Sequence, residues 1–256
     1  MGLDVQYELL RQSGTIHMRG KFASVKALIF DVFGTVVDWR GSIIRETRTL
    51  ARAKKLDLDP AAFADAWRAG YQPAMARVRS GELGWTKIDA LHRMILDDLL
   101  VKFGVRGLKT AEIDHLNRVW HRLAPWPDSR AGLKALKRSR IIGTLSNGNV
   151  SLLANMAKSG GLPWDVIFSG EIFHHYKPDP ETYLGACELL SLEPTEVMMV
   201  AAHKSDLHAA RACGLATAFV RRPLEHGPGV KIDLKPERAF DINTDDFLDL
   251  ARRLGP

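Results

Sequence analysis

Cysteine is scarce in these 256 residues: only Cys187 and Cys213 occur, each in a segment that reads as helix. Two isolated thiols argue against a disulfide framework or a zinc site and suit a reducing compartment. No uninterrupted apolar run approaches the roughly 18 residues that a membrane span needs. The nine histidines show no metal-ligand spacing, and His174-His175 reads as loop surface rather than a metal site. Internal repeats and low-complexity segments are missing too. Residues 1–21 lack the apolar core of a signal peptide, and Asp4 and Glu8 do not suit a transit peptide. That stretch reads as a poorly ordered extension, with Met18 a second candidate start. Together these absences point to a cytoplasmic protein with no membrane partner, no metal and no cofactor.

What is present is globular in composition. Hydrophobic residues make up 46% and charged residues 26%, and the length allows one large domain or a core with an inserted module. The formal charge of +6 comes from Lys and Arg spread along the chain, with only short clusters such as "KRSR" at 137–140. A dispersed basic surface argues against a nucleic-acid partner and favours the approach of small anions. A homodimer is compatible with the sequence.

Five short apolar runs bounded by turn residues predict strands at 25–31, 141–146, 165–169, 197–202 and 216–220. Helical spacing predicts helices at 149–158, 180–190 and 204–213 between the later strands. Strand alternating with helix implies right-handed crossovers, hence a doubly wound α/β core with a mainly parallel sheet. The gap between the first two strands is anomalous. Residues 40–126 carry helical patterns, near 42–55, 61–80, 86–103 and 110–122, where a crossover needs only a dozen or so residues. They read as an inserted helical module, leaving an extension over 1–21 and a core built from 22–39 and 127–256. The module's exit is marked by "APWPDS" at 124–129, two prolines followed by helix-start residues.

Ligands of open α/β sheets bind beyond the carboxyl ends of the strands. The polar residues expected there are Asp31 and Thr35 after the first strand, Ser146 and Asn147 after the second, Lys177 in the loop after the third, and His203 with Asp206 after the fourth. Six have a plainer reading: Asp31 as a turn cap, Thr35 as a turn hydroxyl, Asn147 as part of an Asn-Gly turn, Lys177 as an exposed loop residue, His203 as loop structure, Asp206 as a helix cap. Their convergence on one crevice favours a site.

Together, "FDVFGTVVD", "LSNGN", "YKPDPETY" and "MMVAAHKSDLHAARACGL" resemble the four motifs of the haloacid dehalogenase superfamily, and within it the type II haloacid dehalogenases. The resemblance covers about residues 25–256, including a helical cap inserted after the first motif. It implies that Asp31 is a nucleophile. Most superfamily members are phosphatases, which carry a second acid two residues after the nucleophile and an acid pair in the fourth motif to hold magnesium. Here those places hold Phe33 and, for the Gly-Asp pair, Ala201-Ala202. Halide departs without a proton, and a 2-haloacid has no phosphoryl group for a metal to clamp, so both departures suit carbon–halogen hydrolysis through an aspartyl ester.

The resemblance further implies that Arg68, in "DAWRAGY", meets the departing halide and that Tyr183 lies near the site, although a helical tyrosine packed on the core is an equal reading. Ser146, Lys177 and nearby backbone N–H groups would neutralise the carboxylate of a small anionic haloacid. Many relatives carry a Ser-x-Asn pair where this chain has Ala201 and His203, so His203 and Asp206 are expected to handle the hydrolytic water. The alternatives are a phosphatase acting on small phosphate esters and a non-catalytic binding protein of the same fold.

Overall fold

The computed structural model describes residues 22–255, so the N-terminal extension expected over 1–21 lies outside the described residues. The first strand, β1 (Ala27–Phe30), is wholly buried. Its side chains alternate: Leu28 and Phe30 join one core cluster, Ala27 and Ile29 the other, as the two-residue period of a strand requires. A sheet apolar on both faces needs cover on both faces.

Next come β2 (Val37–Asp38), α1 (Trp39–Lys54), α2 (Pro60–Arg79), α3 (Ile88–Lys102), α4 (Thr110–Asn117), a 3₁₀ turn at Arg118–Arg122, and β3 (Ala124–Pro125). The remainder alternates as expected: α5 (Ser129–Leu136), β4 (Ile141–Ser146), α6 (Val150–Gly160), β5 (Val166–Ser169), α7 (Gly170–Phe173), α8 (Pro180–Leu190), β6 (Val197–Ala201), α9 (Lys204–Ala212), β7 (Ala216–Val220), β8 (Ile242–Thr244) and α10 (Phe247–Leu254). The sheet order is β5-β4-β1-β6-β7-β8, and every neighbouring pair is parallel. Residues of α5, α6 and α10 pack on the Leu28 and Phe30 face; those of α8 and α9 cover the other. This is the doubly wound α/β architecture. Because β1 is flanked by β4 and β6, the chain reverses its direction of winding there, and the crevice of such sheets opens at that point.

All five expected strands form. The sixth, β8, has no counterpart among the expected elements, nor do α7, α10 and the antiparallel ribbon that pairs Val37 with Pro125 and Asp38 with Ala124; α5 starts at Ser129, at the helix-start residues that end "APWPDS". The helix expected at 42–55 starts at Trp39 because the Asp38 carboxylate accepts the Gly41 N–H at 2.7 Å, a side-chain cap. Asp59 caps α2 likewise, with Pro60 in the first turn. The pattern at 110–122 is a helix running into a 3₁₀ turn. Cys213 lies one residue past α9, and both cysteines are free. The apolar side chains of α2, α3 and the 3₁₀ turn, including Phe63, Trp67, Leu91 and Trp120, belong to the same core cluster as Phe33, Val36 and Trp39. The inserted helices therefore share one continuous core with a face of the sheet. Among the described residues no helix is long and apolar enough to cross a membrane.

Candidate active site

Asp31 is the first residue past β1, and its N–H donates to Val200 O at 3.0 Å. This strand-like anchor points its carboxylate at the crevice, where it is 7% exposed. Thr35 Oγ1 donates to Asp31 Oδ2 at 2.6 Å and itself accepts from Ala202 N at 2.9 Å. Lys177 Nζ lies 2.9 Å from Asp31 Oδ1 and 2.5 Å from Asp206 Oδ2, bridging the two acids. The Tyr183 hydroxyl donates to the other oxygen of Asp206 at 2.5 Å. His203 Nδ1 is 3.0 Å from Asp31 Oδ2, and its Nε2 is 2.9 Å from Glu225 Oε1. Residues expected at three of the four strand ends thus form one hydrogen-bonded chain.

The electrostatics follow from this chain. Burial opposes ionisation of Asp31, but the Lys177 cation and the hydrogen bonds from His203 and Thr35 outweigh it and hold the carboxyl far below its ordinary range. Burial likewise works against a charged Lys177, yet Asp206 and Asp31 keep it protonated. Burial, reinforced by the neighbouring Asp31 charge, raises Asp206. Burial would lower His203, but its bonds to Asp31 and Glu225 lift it to about 10. At rest, then, Asp31 is an anion between two cations.

A cavity of about 300 Å³ lies over Asp31. Nine of the ten residues singled out from the sequence line it: Asp31, Phe33, Arg68, Ser146, Asn147, Lys177, Tyr183, His203 and Asp206, along with Tyr71, Gln72, Pro178 and Ser205. Thr35 does not, being fully buried behind Asp31. Arg68 descends from α2 with its guanidinium carbon 4.6 Å from the Tyr71 ring centre and 5.6 Å from that of Trp39. Its Nη1 is buried without a hydrogen-bond partner. Phe33 packs edge-on against Trp120 and Tyr71 at 5.6 and 6.3 Å, making an apolar wall. Asn147 Oδ1 accepts from Lys177 N at 2.7 Å and fixes the Lys177 loop, while Ser146 Oγ accepts from Gly148 N at 3.2 Å.

Three details go beyond the expectations. Lys177 neutralises two protein acids, Asp31 and Asp206. Tyr183 turns its hydroxyl to Asp206, because an unpaired phenol in the core would be costly. His203 and Asp206 lie on different branches of the network, tied to Glu225 and to Tyr183 respectively. His174 stacks on Trp85, and neither it nor His175 lines the cavity.

Glu225 was missed altogether. It is 3% exposed, and besides His203 it receives Trp39 Nε1 at 3.3 Å. No signal in the sequence points to it; the structure shows its link to Gly34, which at φ +84° suits the left-handed region and where a Cβ would fall 2.1 Å from Glu225 Oε1. Also unforeseen is Arg222, which clamps Asp128 through both terminal nitrogens at 2.8 and 2.9 Å and donates to Thr35 O at 2.7 Å. It pins the turn that carries Thr35.

A family model for haloacid dehalogenase-like hydrolases matches residues 25–214. The chain belongs to that family. It is 50% identical to a structurally characterised defluorinating L-2-haloacid dehalogenase, with a TM-score of 0.88 over 90% of this chain and 95% of the other. It is 29% identical over 244 residues to (S)-2-haloacid dehalogenase 4A of Burkholderia cepacia, covering 86% of this chain and 97% of the relative. It is also 29% identical over 214 residues to a phosphoglycolate phosphatase of Neisseria meningitidis, at 79% and 83% coverage. The likeness to type II haloacid dehalogenases drawn from the four motifs is borne out, and within the haloacid dehalogenase-like hydrolases this chain departs from the phosphatase pattern at Phe33, Ala201 and Ala202.

Proposed function

We propose that this protein hydrolyses small 2-haloacids, such as haloacetates and 2-halopropionates, to 2-hydroxy acids without a metal. One observation carries the reading: an ionised Asp31 and Arg68, a cation with an unsatisfied buried donor, line the same small cavity, and the residue two places after the nucleophile is Phe33. An Asp31 oxygen forms a bond to C2 as the carbon–halogen bond breaks, and the halide leaves toward Arg68. Water then adds to the Asp31 carbonyl carbon and releases the hydroxy acid, restoring the carboxylate. Thr35 and Lys177 keep Asp31 anionic and aimed; Asp206 and Tyr183 hold Lys177. Ser146 and the backbone around Asn147 receive the substrate carboxylate. Phe33 gives the carbon centre an apolar wall where an acid would be unused. The likeness to dehalogenases over nearly the whole chain supports the same reading.

The test is halide release from chloro-, bromo- and fluoroacetate and from both 2-chloropropionate enantiomers in excess chelator. Turnover should persist undiminished, Asp31→Asn should abolish it, and a single turnover in heavy-oxygen water should leave label in Asp31. The likeness to a phosphoglycolate phosphatase supplies the competing outcome: magnesium-dependent phosphate release with no halide release would replace this reading.

A further inference from the structure

We propose that Glu225 is a positioning residue for the second half of the reaction: acting through His203, it sets that imidazole to deprotonate the water that hydrolyses the Asp31 ester, and the cavity behind His203 exchanges water and protons with solvent. This rests on the dehalogenase reading above.

The geometry has two parts. First, His203 is a partition. It lines the substrate cavity on one side and, on the other, a separate cavity of about 250 Å³ whose wall includes Glu225, His226 and Leu234. Second, the imidazole is held at both nitrogens, Nδ1 toward the atom group that becomes the ester and Nε2 on a buried carboxylate. Asp206, the other candidate base, has both oxygens occupied by Lys177 and Tyr183. The chain also gives up side-chain volume at Gly34 to let the Glu225 carboxylate approach. From the elements around it His203 faces Asp31 and Glu225 directly, Lys177 and Asp206 beyond Asp31, His226 beside Glu225, and Arg222, Lys204 and Asp233 on the rear wall.

The protons balance over the cycle. At rest the imidazolium lies between two anions. Alkylation of Asp31 removes one of them, so His203 sheds a proton into the rear cavity while Glu225 keeps the ring oriented and basic. Water adds to Asp31 Cγ as one of its protons passes to His203. The bond from Cγ to the substrate oxygen breaks, and His203 returns that proton to the departing alkoxide. Asp31, left as a carboxylic acid, passes its proton to His203 and the resting pair is restored. The sum is haloacid plus water giving hydroxy acid, halide and one proton.

The experiment compares wild type with Glu225→Gln, using chloroacetate in rapid-quench single turnovers that follow halide release, ester on Asp31 by mass spectrometry, and ester hydrolysis against pH. We expect an essentially unchanged halide burst, ester that accumulates, and hydrolysis slowed by about 10²-fold, the scale of one general base. The acid limb of the hydrolysis profile should also move to lower pH, because the imidazole has lost its remaining anion. If Glu225→Gln does not fold, Glu225→Asp, which keeps the charge but draws it back, should show the same step selectively slowed. Halide burst and hydrolysis falling together, or neither changing, would overturn the proposal and leave Glu225 a structural partner. Absence of halide release from wild type would instead remove the dehalogenase reading, and this proposal with it.

Discussion

Arg68 combines two properties that rarely coexist in a residue kept for stability: its ring stacking holds the guanidinium still, and one of its buried donors has no partner. An unsatisfied buried donor is destabilising, so its benefit must come when an anion arrives. Arg68→Lys retains charge but loses the planar fork. Its kcat should fall by about 10²-fold or more, as when one electrostatic donor is lost, and most for fluoride, the poorest leaving group. Arg68→Met should lose turnover while matching or exceeding the wild-type Tm. Kinetics near wild type for both variants on every halide would place the halide elsewhere in the cavity. Arg68 could be read from the sequence only through its motif context, "DAWRAGY". Glu225 could not be read at all: it lies in "RRPLEHGPG", with no periodicity and 194 positions from the Asp31 it serves.

At the scale of an element, the turn from β1 to β2 gathers the most constraint into the fewest residues. Asp31, Phe33, Gly34 and Thr35 each face a different neighbour, and Arg222 and Trp126 hold the turn by its carbonyls at Thr35 and Gly34. Gly34→Ala should destabilise the protein by about 1–3 kcal/mol from the left-handed backbone alone, and more through the collision with Glu225. The double variant Gly34→Ala, Glu225→Ala should recover the collision part in a denaturant titration and leave the backbone part. No recovery would mean that the Gly34 cost is purely conformational. The long elements were legible because their periodicity is strong: α8 falls at 180–190 as read. The element β8 was not, because three residues, one of them Asn243, are too few to display alternation. The two-residue strands β2 and β3 exist only through each other.

For the molecule as a whole, the His203 charge ties stability to pH. Its value rises from an ordinary 6.5 to about 10 in the fold, so the stabilisation is fully present below pH 6.5 and drains away as pH climbs through 10. Tm measured from pH 6 to 10.5 should decline on the alkaline side, and His203→Gln should flatten that decline; an identical slope in the variant would mean another group is responsible. The site's convergence was legible in advance from strand ends alone, because a parallel sheet delivers its carboxyl termini to one edge. The ribbon of β2 and β3 has a consequence of a different kind. It brings the entry and exit of the helical layer side by side, with Asp38 opposite Ala124, so the layer attaches to the sheet like a cartridge on a single seam. An exchange of that cartridge would carry away Arg68 and Tyr71 and leave Asp31, Thr35, Lys177 and His203 in place. The nucleophile and the cation that meets its leaving group are thus carried on different lengths of chain, and any replacement layer would have to bring a halide donor of its own and repack the core it shares with the sheet.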